Sequence, residues 1–147
     1  MRYFLLFIFL LIATKAIAPD LKELAIIKAY PVDLYERLIK AVIEVESNGD
    51  TLAFNPVEQA YGIMQIRPIR LLDYNQRTGK KYKMKDCFRP EISREIFLYY
   101  ARGIGYPDYE RISRSWNGSG AKTLEYWDKV KASLEGKFRN KAVKARP

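Results

Sequence analysis

The chain contains no histidine. That absence removes Ser-His-Asp triads, Cys-His pairs and most zinc sites, so catalysis would have to rest on carboxylates, hydroxyls, amides or lysines. Cysteine is nearly missing too. Cys87 stands alone, so it cannot close an intramolecular disulfide; burial or pairing with another molecule is its expected fate. Acids are in short supply, 17 against 26 basic residues, for a net charge of +9. A positive surface favours polyanions. The bases are scattered, however, apart from Lys80 to Lys85 and the tail from Lys137 to Arg146. They read as solvated faces, and no specific nucleic-acid site is expected.

Long apolar runs are equally scarce. The single prominent one, Phe4 to Ala13, follows the positive charge of Arg2 and precedes Ala16-Ile17-Ala18. It is well short of the roughly 20 apolar residues a spanning helix needs. Its flanks match a secretory signal with an A-x-A cleavage site. Residues 1–18 are therefore expected to be a signal peptide, removed from an exported protein that is periplasmic or extracellular and keeps no membrane span. The expected mature domain is residues 19–147, with a core over about 32–130 and a basic tail over about 137–147. No internal repeat divides it, its size suits one hydrophobic core, and a monomer is expected.

The pattern predicts a mainly α protein with at most a few short strands. Asp20 can cap a first helix to about Ala29. Asp33 can cap a second from Leu34 to about Ser47, stopped by Asn48-Gly49. Residues 50–66 lack a helical repeat and read as loop with short strands. Pro68 suits the first position of a helix reaching about Arg77 and closed by Gly79. Lys80 to Arg89 reads as a basic connection. Pro90 opens a helix to about Ala101 with Ile92, Ile96, Phe97 and Tyr100 on its apolar face. A short helix fits Asp108 to Ser115, and a last one Ala121 to Phe138, with Leu124, Trp127, Val130 and Leu134 on one side.

Chemistry is most visible in the helix that begins near Leu34. Leu34, Leu38, Ala41, Val42 and Val45 form an apolar stripe. Glu46 falls near that stripe at the helix's C-terminal end, where partial desolvation and the negative end of the dipole both disfavour the carboxylate. An acid kept protonated near neutral pH is what protonation of a glycosidic leaving oxygen requires. Glu44 lies on another face, one turn after Lys40, and reads as a solvated surface acid.

Further segments extend this reading. Glu46-Ser47, then Asn55-Pro56, then Tyr61-Gly62-Ile63-Met64-Gln65-Ile66 with Pro68 behind it, resemble the signature of lytic transglycosylases related to soluble lytic transglycosylase, relatives of goose-type lysozyme. Trp116-Asn117-Gly118 and the pair Tyr126 and Val130 resemble that family's later elements, so the likeness covers roughly Val32 to Val130. The resemblance implies a lysozyme-like single domain that acts on peptidoglycan glycan strands. It implies that Glu46 is the single acid and base: it protonates the oxygen between N-acetylmuramic acid and N-acetylglucosamine, then deprotonates the muramoyl C6 hydroxyl, giving a 1,6-anhydro sugar. Neither metal nor other cofactor is needed for that route.

Candidate substrate contacts are Ser47, Asn55, Tyr61, Gln65, Trp116, Asn117 and Tyr126. Gln65 offers an amide for an N-acetyl group or for bracing Glu46. The aromatics offer flat apolar faces to sugars, with core packing as the ordinary alternative. Gly62 permits close backbone approach to the cleft or simply a turn, and Met64 and Ile66 read as core. Two departures from the family pattern stand out. Trp116 replaces a common Tyr, so a phenolic hydrogen bond to the acid is absent or comes from elsewhere, and Asn55-Pro56 replaces a usual Ser-Pro. Two other functions stay open. A muramidase of goose-lysozyme type would add a water-activating carboxylate, with Asp50 and Glu58 as the candidates. A glycan-binding or assembly protein would have lost turnover.

Overall fold

A computed structural model describes residues 34–136. The expected signal peptide, the helix capped by Asp20, the Asp33 cap and the basic tail lie outside the described residues. Those described all fall within one compact unit and are mainly helical. In chain order they form α1 (Glu36–Ser47), β1 (Phe54–Asn55), β2 (Ala60–Tyr61), α2 (Pro68–Thr78), a 3-10 helix (Met84–Phe88), α3 (Pro90–Ile104), α4 (Tyr109–Asn117) and α5 (Lys122–Leu134). The strands make a two-stranded antiparallel hairpin, Phe54 opposite Tyr61 and Asn55 opposite Ala60. Among the described residues no helix is long and apolar enough to cross a membrane.

Local chemistry sets most of the ends. Asn48 closes α1 in the left-handed region (φ 52°), with its N–H on the Glu44 carbonyl. Gly79 closes α2 the same way (φ 72°), a conformation that costs glycine nothing. Pro68 and Pro90 each open a helix where the missing N–H is no loss. Asp108 caps α4, its side chain accepting from the Arg111 N–H.

The core is built where these helices meet. Leu38, Ile39 and Val42 of α1, Ile96 and Phe97 of α3, Ile112 of α4 and Val130 of α5 are buried, together with Met64 and Ile66 from the turn after β2. Helix α5 packs against both α1 and α4. Cys87 is free and buried, as its isolation suggested, and burial pushes its thiol up to about 12.

Several readings need correction. Leu34 is 54% exposed and precedes α1, so it is not part of the stripe. The buried face of α5 is Thr123, Tyr126 and Val130, while Leu124 is 48% exposed. The face is set by what α5 meets, namely α1 and α4, and not by its most apolar residues. Glu44 is half-buried and accepts a hydrogen bond from Ser133 of α5, so it is not a free surface acid. Lys40 pairs with Glu36 (3.5 Å) in place of Glu44. The basic connection contains the 3-10 helix, and α3 runs three residues past Ala101, to Ile104.

Candidate active site

Glu46 sits one residue before the end of α1, where the helix meets α5. The residue is half-buried, and Tyr126 of α5 donates its hydroxyl to Oε1 at 2.7 Å. Withdrawal from water is the dominant influence and pushes the acid up to about 7. The Tyr126 hydrogen bond and the Arg67 guanidinium pull it back, the Glu58 carboxylate pushes it further up, and the Trp116 side chain exerts the smallest pull down. The result is a carboxyl that holds its proton near neutrality beside groups able to stabilise the anion once the proton leaves. Tyr126 itself stays a donor: burial, and then the neighbouring Glu46, hold its phenol well above its ordinary value.

The loop opposite is fastened to the same helix end. Ser47 donates its hydroxyl to the Ile63 carbonyl at 2.8 Å, with a longer contact to Ile43. Tyr61 and Ile66 exchange backbone hydrogen bonds at 2.9 Å, closing a tight turn through Gly62 (φ 75°) and Gln65 (φ 48°). Gln65 donates its amide to the carbonyls of Gly62 (3.0 Å) and Ala53 (3.3 Å), tying the turn to the approach of β1. A Cβ on Gly62 would lie 1.9 Å from the Cys87 carbonyl oxygen. The close approach that Gly62 permits is therefore to the 3-10 helix.

The remaining sequence candidates divide between frame and groove. Asn55 accepts at Oδ1 from the N–H groups of Val57 and Glu58, shaping the hairpin turn. Tyr61 packs its ring between Phe54 (4.8 Å) and Phe88 (5.3 Å). Trp116 is 5% exposed, edge-on to Phe97 at 5.0 Å. Asn117, by contrast, lines a groove of about 460 Å³ with Tyr126, Arg67, Glu58, Gly118, Ser119, Lys122, Glu125 and Lys129. Of the sequence candidates, Glu46, Trp116 and Tyr126 come together at the acid, Asn117 and Tyr126 share the groove, and Ser47, Asn55, Tyr61 and Gln65 hold the loop beside it. Asp50 lies apart from the groove lining and accepts from the Leu52 N–H.

Two arginines escaped the sequence reading. Arg67, the residue before α2, donates to the Asn117 carbonyl at 2.6 Å. Arg70, in the first turn of α2, donates to the carbonyls of Ser115 (2.9 Å) and Trp116 (3.0 Å) and lies 5.0 Å from the Trp116 ring centroid. Positive charge is thus brought to the C-terminal carbonyls of α4, where the helix dipole favours it. The clamp spans 45 to 50 residues of sequence, beyond any local pattern. The available signal was Arg67 itself, a long cation directly after the Gln65-Ile66 element.

A family model described as the transglycosylase SLT domain matches residues 23–102. The match takes in Glu46, the hairpin and the Gly62–Ile66 turn and ends before Trp116 and Tyr126. No curated protein and no solved structure matches the chain.

Proposed function

The chain belongs to the transglycosylase SLT domain family, whose role is on peptidoglycan, and from that premise we propose that it is a lytic transglycosylase with Glu46 as its single acid and base. One observation carries the reading: a half-buried glutamic acid raised to about 7, held by Tyr126 at 2.7 Å, beside an open groove. Protonated Glu46 delivers its proton to the oxygen linking muramic acid C1 to the next sugar, and the C1–O bond breaks. The Glu46 carboxylate, stabilised by the Tyr126 hydroxyl and the Arg67 charge, then takes the proton of the muramoyl C6 hydroxyl as O6 bonds to C1. The acid is regenerated, no water is consumed, and one product carries a 1,6-anhydro ring. The raised pKa suits both halves, since an acid and base near 7 loses little driving force in either direction. In this reading residues 1–18 direct export and residues 19–147 form the working domain, placing it with its substrate outside the cytoplasm.

A hydrolytic outcome is favoured by one feature, the Glu58 carboxylate, whose charge is felt at Glu46 and which could activate a water. Product analysis separates the two. Purified peptidoglycan digested by the wild type should yield 1,6-anhydromuramoyl ends, and Glu46→Gln should lower the rate by a factor of about 10² or more. Reducing muramoyl ends would assign water as the acceptor, and loss of that activity in Glu58→Gln would then assign Glu58 as the base. An unchanged biological activity in Glu46→Gln would point instead to a glycan-holding role without turnover.

A further inference from the structure

The groove beside Glu46 carries more positive charge than acid catalysis on a neutral sugar uses. Arg67, Lys122 and Lys129 line it against Glu58 and Glu125. Lys122 and Lys129 stand seven positions apart on α5, so they share a face and lie roughly 10 Å apart along the axis. Tyr126, the residue that touches Glu46, sits between them. Both lysines are exposed. No ion pair within 4.0 Å engages either lysine, Arg67, Glu58 or Glu125 among the described residues, although Glu125 is one turn from each lysine. Arg67 is fixed by its bond to the Asn117 carbonyl, which leaves a positioned guanidinium facing the same space.

We propose that this wall is an anion subsite that binds a carboxylate carried by the glycan strand, on the stem peptide or on the lactyl group. The inference rests on the lytic transglycosylase reading. Peptidoglycan sugars are themselves uncharged, and the strand's negative charge is borne by carboxylates of the stem peptide or, where the peptide has been removed, by the freed lactyl acid. A muramoyl residue whose glycosidic oxygen reaches Glu46 would hang its lactyl side chain along the adjacent wall. Two lysines about 10 Å apart on α5 suit a substituent of variable length better than a single fixed contact. A flexible lysine ammonium also tolerates several carboxylate positions, where an arginine fork would select one.

The test compares wild type with Lys122→Ala/Lys129→Ala on soluble glycan strands, before and after their carboxylates are coupled to methylamine by carbodiimide. On unmodified strands the double variant should show KM raised about five- to tenfold, the scale of one or two solvent-exposed charge pairs, with kcat retained. Carboxylate blocking should raise the wild-type KM by a similar factor and leave the variant's unchanged. Strands stripped of peptide expose a lactyl acid that is an amide in intact strands, and so separate the two sources: a wild-type preference that persists there shows that the wall accepts the lactyl carboxylate of peptide-free muramic acid, and one that disappears shows that it requires the stem's own carboxylates. An equal response of both proteins to blocking would overturn the subsite, as would a variant KM equal to wild type on unmodified strands. Failure of the underlying reading looks different, since the wild type would then release from all three substrates either no cleavage product or only reducing muramoyl ends without anhydro sugar.

Discussion

At the scale of single residues, Glu46 and Tyr126 work as one unit. The replacement of a common Tyr by Trp116 left the source of a phenolic hydrogen bond open, and Tyr126 supplies it from α5 at 2.7 Å. That bond is the largest of the influences lowering the Glu46 pKa, so Tyr126→Phe should move the acid above 7. The alkaline limb of kcat/KM, which reports loss of the proton from the free enzyme, should shift to higher pH. The maximum rate should fall because the carboxylate formed during reaction loses its donor. A pH-rate profile checks both, and an alkaline limb that does not move would remove Tyr126 from the role. The Glu46–Tyr126 pairing was only half legible in sequence. The end of α1 placed an acid near the apolar stripe, but the partner lies 80 residues away, and no local periodicity reports such a contact.

At the scale of elements, the site depends on how α1, the hairpin and the 3-10 helix are locked together. Ends governed by local chemistry were legible: Asn48 and Gly79 as stops, Pro68 and Pro90 as starts. Faces governed by packing were not. Leu124 looks more apolar than Thr123, yet Thr123 is buried because its hydroxyl donates to the Gly120 carbonyl at 2.8 Å and accepts from Arg114. Gly62 lies between these cases, since its backbone freedom was foreseen and its neighbour was not. Gly62→Ala would drive a methyl to 1.9 Å from the Cys87 carbonyl oxygen at φ 75°, a backbone atom that cannot easily yield. A loss of about 2–4 kcal/mol is expected. Gly49→Ala is the control, because Gly49 has a similar φ of 86° and nothing within 4 Å; it should lose only about 1 kcal/mol. Urea midpoints compare them, and equal losses would mean that dihedral strain alone, without the approach to Cys87, governs the turn.

At the scale of the whole molecule, the proposed catalytic acid places a tax on folding that depends on pH. An unconstrained glutamate titrates near 4.5, and in the folded protein Glu46 holds its proton up to about 7. Below 4.5 both states are protonated and the group's contribution is fully present. Between 4.5 and 7 the unfolded chain has released a proton that the folded chain still binds, so stability falls as pH rises, and above about 7 the loss is complete. A difference of that size corresponds to roughly 3 kcal/mol. Asp73 and Glu95 act in the opposite sense, because hydrogen bonds, from Arg77 to Asp73 and from Tyr74 to Glu95, hold them below their ordinary values. Their stabilisation is lost only as pH falls through that lower range, outside the Glu46 window. Glu46→Gln keeps an acceptor for Tyr126 and cannot ionise. Its stability relative to wild type should therefore rise by roughly 2–3 kcal/mol between pH 4 and pH 8, measured by urea unfolding at each pH. A relative stability that stays flat across that interval would mean that Glu46 ionises in the folded protein as freely as in water, and the acid role would lose its physical basis along with the stability effect.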